Sequence, residues 1–141
     1  MKIEIVKSEQ EKEAAYRIRH IVFVDEQQVP IEEEIDDYED EAIHFITYDE
    51  GNAVGASRLR FVEDYGKLER ICVLKPYRGK SIGKNIIERM ENEIVKKGYK
   101  KAKLHAQTHA KEFYEKLGYY VISDEFMDAG IPHVAMMKDL Q

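Results

Sequence analysis

The chain has 141 residues, with 22 Lys and Arg against 28 Asp and Glu, a formal net charge of −6. That length fits one domain over residues 1–141 with its own core, and 43% hydrophobic with 35% charged residues is a globular composition, not a disordered one. A lone cysteine, Cys72, excludes an intrachain disulfide and a cysteine zinc cluster, and no apolar run approaches the roughly 18 residues of a membrane span.

Charge is divided unevenly. Residues 1–70 hold nine basic against nineteen acidic side chains, and residues 71–141 hold thirteen against nine. The overall acidity, with basic residues not interleaved with aromatics, argues against a nucleic-acid partner. The opening Met1-Lys2-Ile3-Glu4-Ile5-Val6-Lys7 alternates apolar and charged, unlike a secretory leader, so a reduced, cytoplasmic protein with no membrane partner is expected.

In chain order, residues 2–7 read as a half-buried strand. Ser8 and Glu11 form a capping box for a helix with Ala14, Ala15, Ile18, Ile21 and Val22 on one stripe, ending near Phe23. Residues 24–41 read as irregular or weakly helical. Eight of the ten residues from Glu32 to Glu41 are acidic. Three strands follow at 42–48, 53–62 and 67–74, joined by Asp49-Glu50-Gly51-Asn52 and Glu63-Asp64-Tyr65-Gly66, a hairpin meander. After Pro76 the period changes: Ile82, Ile86, Met90 and Ile94 define an amphipathic helix stopped by Gly98. A strand at 101–106, a short helix at 110–117 and strands near 119–123 and 132–138 complete the chain. The class is α+β with a mixed sheet.

The segment Cys72-Val73-Leu74-Lys75-Pro76-Tyr77-Arg78-Gly79-Lys80-Ser81-Ile82-Gly83-Lys84 carries the chemistry. A strand runs through a small-residue turn into a helix N-terminus, whose first N–H groups lack internal partners and attract anions. Arg78, Lys80 and Lys84 add positive charge, so the segment reads as a pyrophosphate seat; the alternative is an ordinary turn with Ser81 as N-cap. Gly79-Lys80-Ser81 is not the end of a P-loop, because Leu74 stands where that motif needs its first glycine.

The segment from Arg78 to Gly83 resembles the Q/R-x-x-G-x-G/A cofactor motif of the GNAT superfamily of N-acetyltransferases. Ser81 stands at its first glycine, so no left-handed residue is expected there. Ala110-Lys111-Glu112-Phe113-Tyr114-Glu115-Lys116-Leu117-Gly118-Tyr119 resembles the family's A-x-x-x-Y-x-K-x-G-F/Y signature. The resemblance covers essentially the whole chain. It implies a single domain with a mostly antiparallel sheet of six to seven strands, splayed between the fourth and fifth to admit acetyl-CoA, and transfer of the acetyl group to a primary amine. The alternative on the same fold is a non-catalytic acetyl-CoA sensor or interaction module.

The resemblance also implies roles. The backbone of Ile71 and Val73 pairs with the pantetheine, with Cys72 beside the thioester path. Amides of Arg78, Gly79, Lys80, Ser81, Ile82 and Gly83, with Lys84, hold the pyrophosphate. Gln107 is the nearest polar equivalent of a family cofactor-contacting Asn, and Tyr114 protonates the departing thiolate. Tyr119 reads as core. For the base that takes the amine's proton, Glu69, His105 and His133 are candidates. Glu69 alternates onto the face of Ile71 and Val73, where the thioester is expected; its competing role is an ion pair with Arg58 or Arg60 of the meander. His105 and His109 straddle a strand-to-helix break, so no metal site is expected. The acidic run after the first helix implies a cationic acceptor, either a small-molecule amine or a protein amine; its plainer role is a solvated loop. A homodimer is an assembly the family allows.

Overall fold

The computed structural model describes residues 1–140. Its elements are β1 (Lys2–Ile5), α1 (Glu9–Arg19), a π-helix (His20–Glu26), α2 (Ile31–Glu34), β2 (Ile43–Asp49), β3 (Asn52–Val62), β4 (Tyr65–Val73), α3 (Ile82–Lys96), β5 (Lys101–Gln107), α4 (Lys111–Lys116), β6 (Tyr120–Val121), β7 (Phe126–Asp128) and β8 (Ile131–Asp139). The strands form one sheet in the order β1-β2-β3-β4-β5-β8-β6, with β7 paired to β8. Only β4 and β5 run parallel. No helix among the described residues is long and apolar enough to cross a membrane.

Local chemistry explains most of these boundaries. Ser8 Oγ accepts the Glu11 amide at 3.1 Å, and Glu11 accepts the Lys7 amide at 2.8 Å, so the box caps α1 as its spacing predicts. Glu50 and Gly51, both at positive φ, make the tight turn from β2 to β3. The first helix does not stop near Phe23; after Arg19 it widens into the π-helix. The eighth strand is β7, turned into β8 by Ala129 and Gly130 at φ 52° and 75°. Alanine there gives no sequence signal for such a turn.

Two cores flank the sheet. One lies under α3, with Phe45, Leu59, Leu68, Ile86, Met90 and Ile94 buried. The other lies under α1 and the π-helix, with Ala15, Ile18, Val22, Ile46, Ala56 and Cys72. Gly66 lets α3 approach closely: a Cβ there would lie 2.5 Å from the Ile94 side chain.

Two features open the sheet. The β4–β5 ladder contains only three pairs, Gly66–Ala102, Lys67–Lys103 and Leu68–Leu104. Beyond Leu68 the strands part, as the resemblance implies. At the same place β4 carries a bulge: Arg58 pairs with Glu69 and Ala56 with Cys72, so Ser57 faces both Arg70 and Ile71. Arg70 takes φ 55° to accommodate the extra residue.

Candidate active site

The parted strands border a cavity of about 280 Å³, whose walls include Phe23 and Gln27 of the π-helix, Ile71 of β4, Gln107 of β5, Tyr114 of α4 and His133 of β8. The bulge sets the chemistry of its β4 wall. An inserted residue inverts the alternation, so side chains before and after it face opposite ways. Ile71 and Val73 pack on the α3 side, whereas Cys72 joins the α1 core, opposite Ala56. Glu69, opposite Arg58, shares the Cys72 face. Its expected place beside Ile71 and Val73 is therefore corrected: unbroken alternation fails at Arg70.

Glu69 is held as an ion-pair partner. It accepts from Arg58 at 2.7 and 3.0 Å, from Arg60 at 2.9 and 3.2 Å, and sits 3.1 Å from Lys67 Nζ. Burial pushes its carboxyl up, but the Arg60 hydrogen bond and the Arg58 and Lys67 charges outweigh it and hold it at about 2. A carboxylate so stabilised is a weak base. Of its two expected roles, the geometry favours the ion pair.

Cys72 is also corrected. Its thiol is buried, contacts the Ala56 carbonyl at 3.7 Å, and is pushed up to about 12 by burial. It faces away from the gap. Its carbonyl lies toward Gly55 on β3 and the Leu74 amide donates to Val54, so by alternation the backbone groups of Ile71 and Val73 point into the gap, where β5 no longer pairs with them.

At the C-terminal end of β4 the chain enters α3. None of the amides from Gly79 through Lys84 donates to another group among the described residues, and the first bond closing the helix runs from Asn85 to Ser81, at 3.1 Å. Ser81 adopts φ 64° and its side chain makes no cap bond. This corrects the expectation that no left-handed residue stands there; Ser81 holds the N-cap position through its carbonyl, without a side-chain cap bond. The left-handed step turns the chain so that consecutive amides stay free. Arg78 departs from expectation: its amide goes to Lys75 O at 3.2 Å, and its guanidinium holds Val73 O at 2.8 Å and Glu26 at 2.9 and 3.0 Å. The row of free donors therefore begins at Gly79, with Lys84 nearby and Lys80 over the Tyr77 ring.

The other wall brings Gln107, Tyr114, His105 and His133 to the cavity. Gln107 donates to Gln27 Oε1 at 2.8 Å, bridging β5 to the end of the π-helix. The π-helix begins in the stretch read as helix and ends in the stretch read as irregular or weakly helical; Gln27, just after it, is a functional candidate that no motif marked. Burial pushes the Tyr114 hydroxyl up to about 12. Its ring packs edge-on against Phe113 and Tyr119. Tyr119 is structural, donating to Glu91 at 2.7 Å. Burial, then Lys67 and Lys103, lower His105 to about 4, so it is neutral at pH 7. His133 Nδ1 lies 2.7 Å from Ile131 O; donation there leaves Nε2 with its lone pair on the neutral ring.

The acidic run is not simply a solvated loop. Glu34 and Glu39 are buried on Arg19, and Asp36 and Glu39 meet Arg58. Burial raises the Glu39 carboxyl, but Arg19 and Arg58 prevail and hold it at about 2.

A sheet parted beside a row of free helix-start amides, with a tyrosine on its wall, is the arrangement that the family resemblance implies. The comparisons agree. Residues 6–140 match the family described as "Acetyltransferase (GNAT) domain", and the chain belongs to that family of acyltransferase enzymes. It is 49% identical to the Bacillus subtilis protein named "Uncharacterized N-acetyltransferase YjcF" over 140 residues, covering 99% of this chain and 100% of that one. A Lactobacillus plantarum crystal structure superimposes with TM-score 0.93 at 29% identity, over 99% of this chain and 98% of its own. An Elizabethkingia anophelis GNAT family acetyltransferase, solved with acetyl-CoA bound, shares the fold with TM-score 0.77 at 13% identity, over 99% of this chain and 97% of its own.

Proposed function

We propose that this acetyltransferase takes acetyl-CoA as cosubstrate and moves its acetyl group to a primary amine by direct attack. The observation that carries the reading is the coincidence at one gap of two sets of free backbone groups: the β4 edge at Ile71 and the Val73 amide, the Val73 carbonyl being held by Arg78, and the amides from Gly79 to Lys84. The first suits the amides of a pantetheine arm and the second a pyrophosphate. Acetyl-CoA supplies the activated thioester carbon.

The chain's own residues divide the remaining work. Gln107 and Gln27, joined to each other, flank the arm. The incoming amine must lose a proton to be nucleophilic, and His133 Nε2 is the base on the cavity wall that is free to take it. As the nitrogen–carbon bond forms and the carbon–sulfur bond breaks, the Tyr114 hydroxyl gives its proton to the leaving sulfur. Glu69 lines the cavity as an ion-paired carboxylate, fixing Arg58, Arg60 and Lys67 at its wall.

The test begins with binding. Acetyl-CoA should raise Tm by mass action on the folded state. A Cβ at Gly83 meets only Phe113, at 3.6 Å, so Gly83→Glu is sterically tolerated by the fold while its carboxylate crowds the amide row. The variant should fold and lose the shift. A wild-type response in Gly83→Glu would place the phosphate seat elsewhere. Thiol release from acetyl-CoA across a panel of amines then reads the transfer itself.

A further inference from the structure

We propose that the acceptor is an aminocarboxylate, an amine that carries its own carboxylate, and that Lys67 with Arg70 binds that carboxylate; this rests on the amine-acetylation reading above. The acidic segment, which by sequence supplies a negative mouth for a cationic amine, spends its central acids internally. Arg19, Arg58, Arg60, Lys67 and Arg70 share the carboxylates of Glu34, Asp36, Glu39 and Glu69 in one connected cluster. Five cations on four anions leave one positive charge in excess.

Exposure shows where that excess can be used. Arg19 and Arg58 are 1% exposed and Arg60 11%, against 17% for Lys67 and 24% for Arg70. Lys67 and Arg70 are also the two cations of the cluster that line the cavity. Lys67 Nζ has three protons and one carboxylate neighbour, the Glu69 Oε2 that also accepts from Arg60. Arg70 uses Nε and Nη2 on Glu33, Glu34 and Asp36, while Nη1 donates to nothing described. Lys103, paired with Lys67 across the last rungs of the β4–β5 ladder, adds charge alongside. His105 lines the same cavity; burial lowers it first, and Lys67 and Lys103 lower it further.

The opposite sign is present on the same walls. Glu33 and Asp128 line the cavity, and neither side chain takes part in an ion pair among the described residues. Cations of one cluster and carboxylates without an ion pair in the same cavity lining suit a ligand carrying both charges, with its ammonium toward Asp128 and the His133 base. A diamine offers no acceptor to the remaining Lys67 donors, which have Glu69 alone beside them, and would add positive charge next to Lys67 and Arg70.

The test compares matched acceptors in the wild-type enzyme: amino acids against their carboxamides, and diamino acids against the corresponding diamines, read by thiol release from acetyl-CoA. The best aminocarboxylate should exceed its uncharged partner by about tenfold or more in kcat/KM, as expected for one charge-assisted contact. In Lys67→Met the preference should fall to near unity while the acetyl-CoA Tm shift is kept. Carboxamides or diamines acetylated as well as the acids would overturn the inference and leave the acetyltransfer reading intact, as would a preference that survives in Lys67→Met. If acetyl-CoA binds and no amine of either kind is acetylated, the acetyltransfer reading itself fails. The wild-type comparison decides the matter even where the variant does not fold.

Discussion

Tyr114 and Tyr119 lie five positions apart, face each other edge-on, and end in different chemistry. Tyr119 gives its proton to Glu91 and is part of the core. Tyr114 has a hydroxyl raised to about 12 by burial alone, with no protein partner among the described residues. Such a group keeps its proton at every physiological pH and has one to lend. Tyr114→Phe should therefore leave the acetyl-CoA Tm shift nearly unchanged and lower kcat by about 10²-fold or less. Full turnover in that variant would mean the thiolate departs unaided. The two tyrosines were separable in the sequence because the family motif admits phenylalanine at the Tyr119 position but not at Tyr114. Glu69 was not separable: a glutamate on a strand satisfies equally a base and an ion pair. What decides it is Arg70, and an arginine at positive φ leaves no glycine to mark the bulge. Ser81 hides its left-handed turn for the same reason.

At the scale of elements, hydrophobic period and turn chemistry predicted the meander and α3, and the family resemblance implied the splay between the fourth and fifth strands. They missed what long-range charge decides. Glu34, Asp36 and Glu39 read as part of a solvent-facing run because their guanidinium partners lie 15 to 22 residues away in α1 and β3. The pairing straps the acidic segment across the sheet. Arg58 is its centre, 1% exposed and in contact with Asp36, Glu39 and Glu69. Removing it takes one cation from each of three carboxylates, which keep Arg70, Arg19, and Arg60 with Lys67, so Arg58→Ala should cost about 1.5–3 kcal/mol of stability, measured by urea unfolding. The exposed Glu32, outside the cluster, should change stability by about 0.5 kcal/mol or less when neutralised. Equal effects at the two positions would show that the cluster contributes no more than a surface pair.

For the whole molecule the same cluster sets an acid limit. Glu39 and Glu69 sit at about 2, below the ordinary carboxylate value of 4.5. A group depressed on folding adds stability above its unfolded value, and that contribution is lost as pH falls through its folded value. Stability should thus hold from pH 7 to about 5 and fall steeply between about 4.5 and 2. Each of these carboxylates contributes on the order of 2–3 kcal/mol to the drop. Tm against pH checks this, and Glu39→Gln should lower the plateau while making the acid slope shallower. An unchanged slope in Glu39→Gln would assign the acid sensitivity to other groups.

Gly66 ties the two ends of the molecule together mechanically. The Ile94 side chain fills the space a Cβ would take, near the C-terminal end of α3, while the free amides crown the other end about 18 Å away. A helix that long behaves as a stiff rod. Its aim at the phosphates is levelled by a contact outside the cleft, much as a gun-sight is zeroed at the breech. Bulk added at position 66 would tilt the rod and misplace its tip, so on the proposed function such a variant should weaken acetyl-CoA binding from a point outside the cleft.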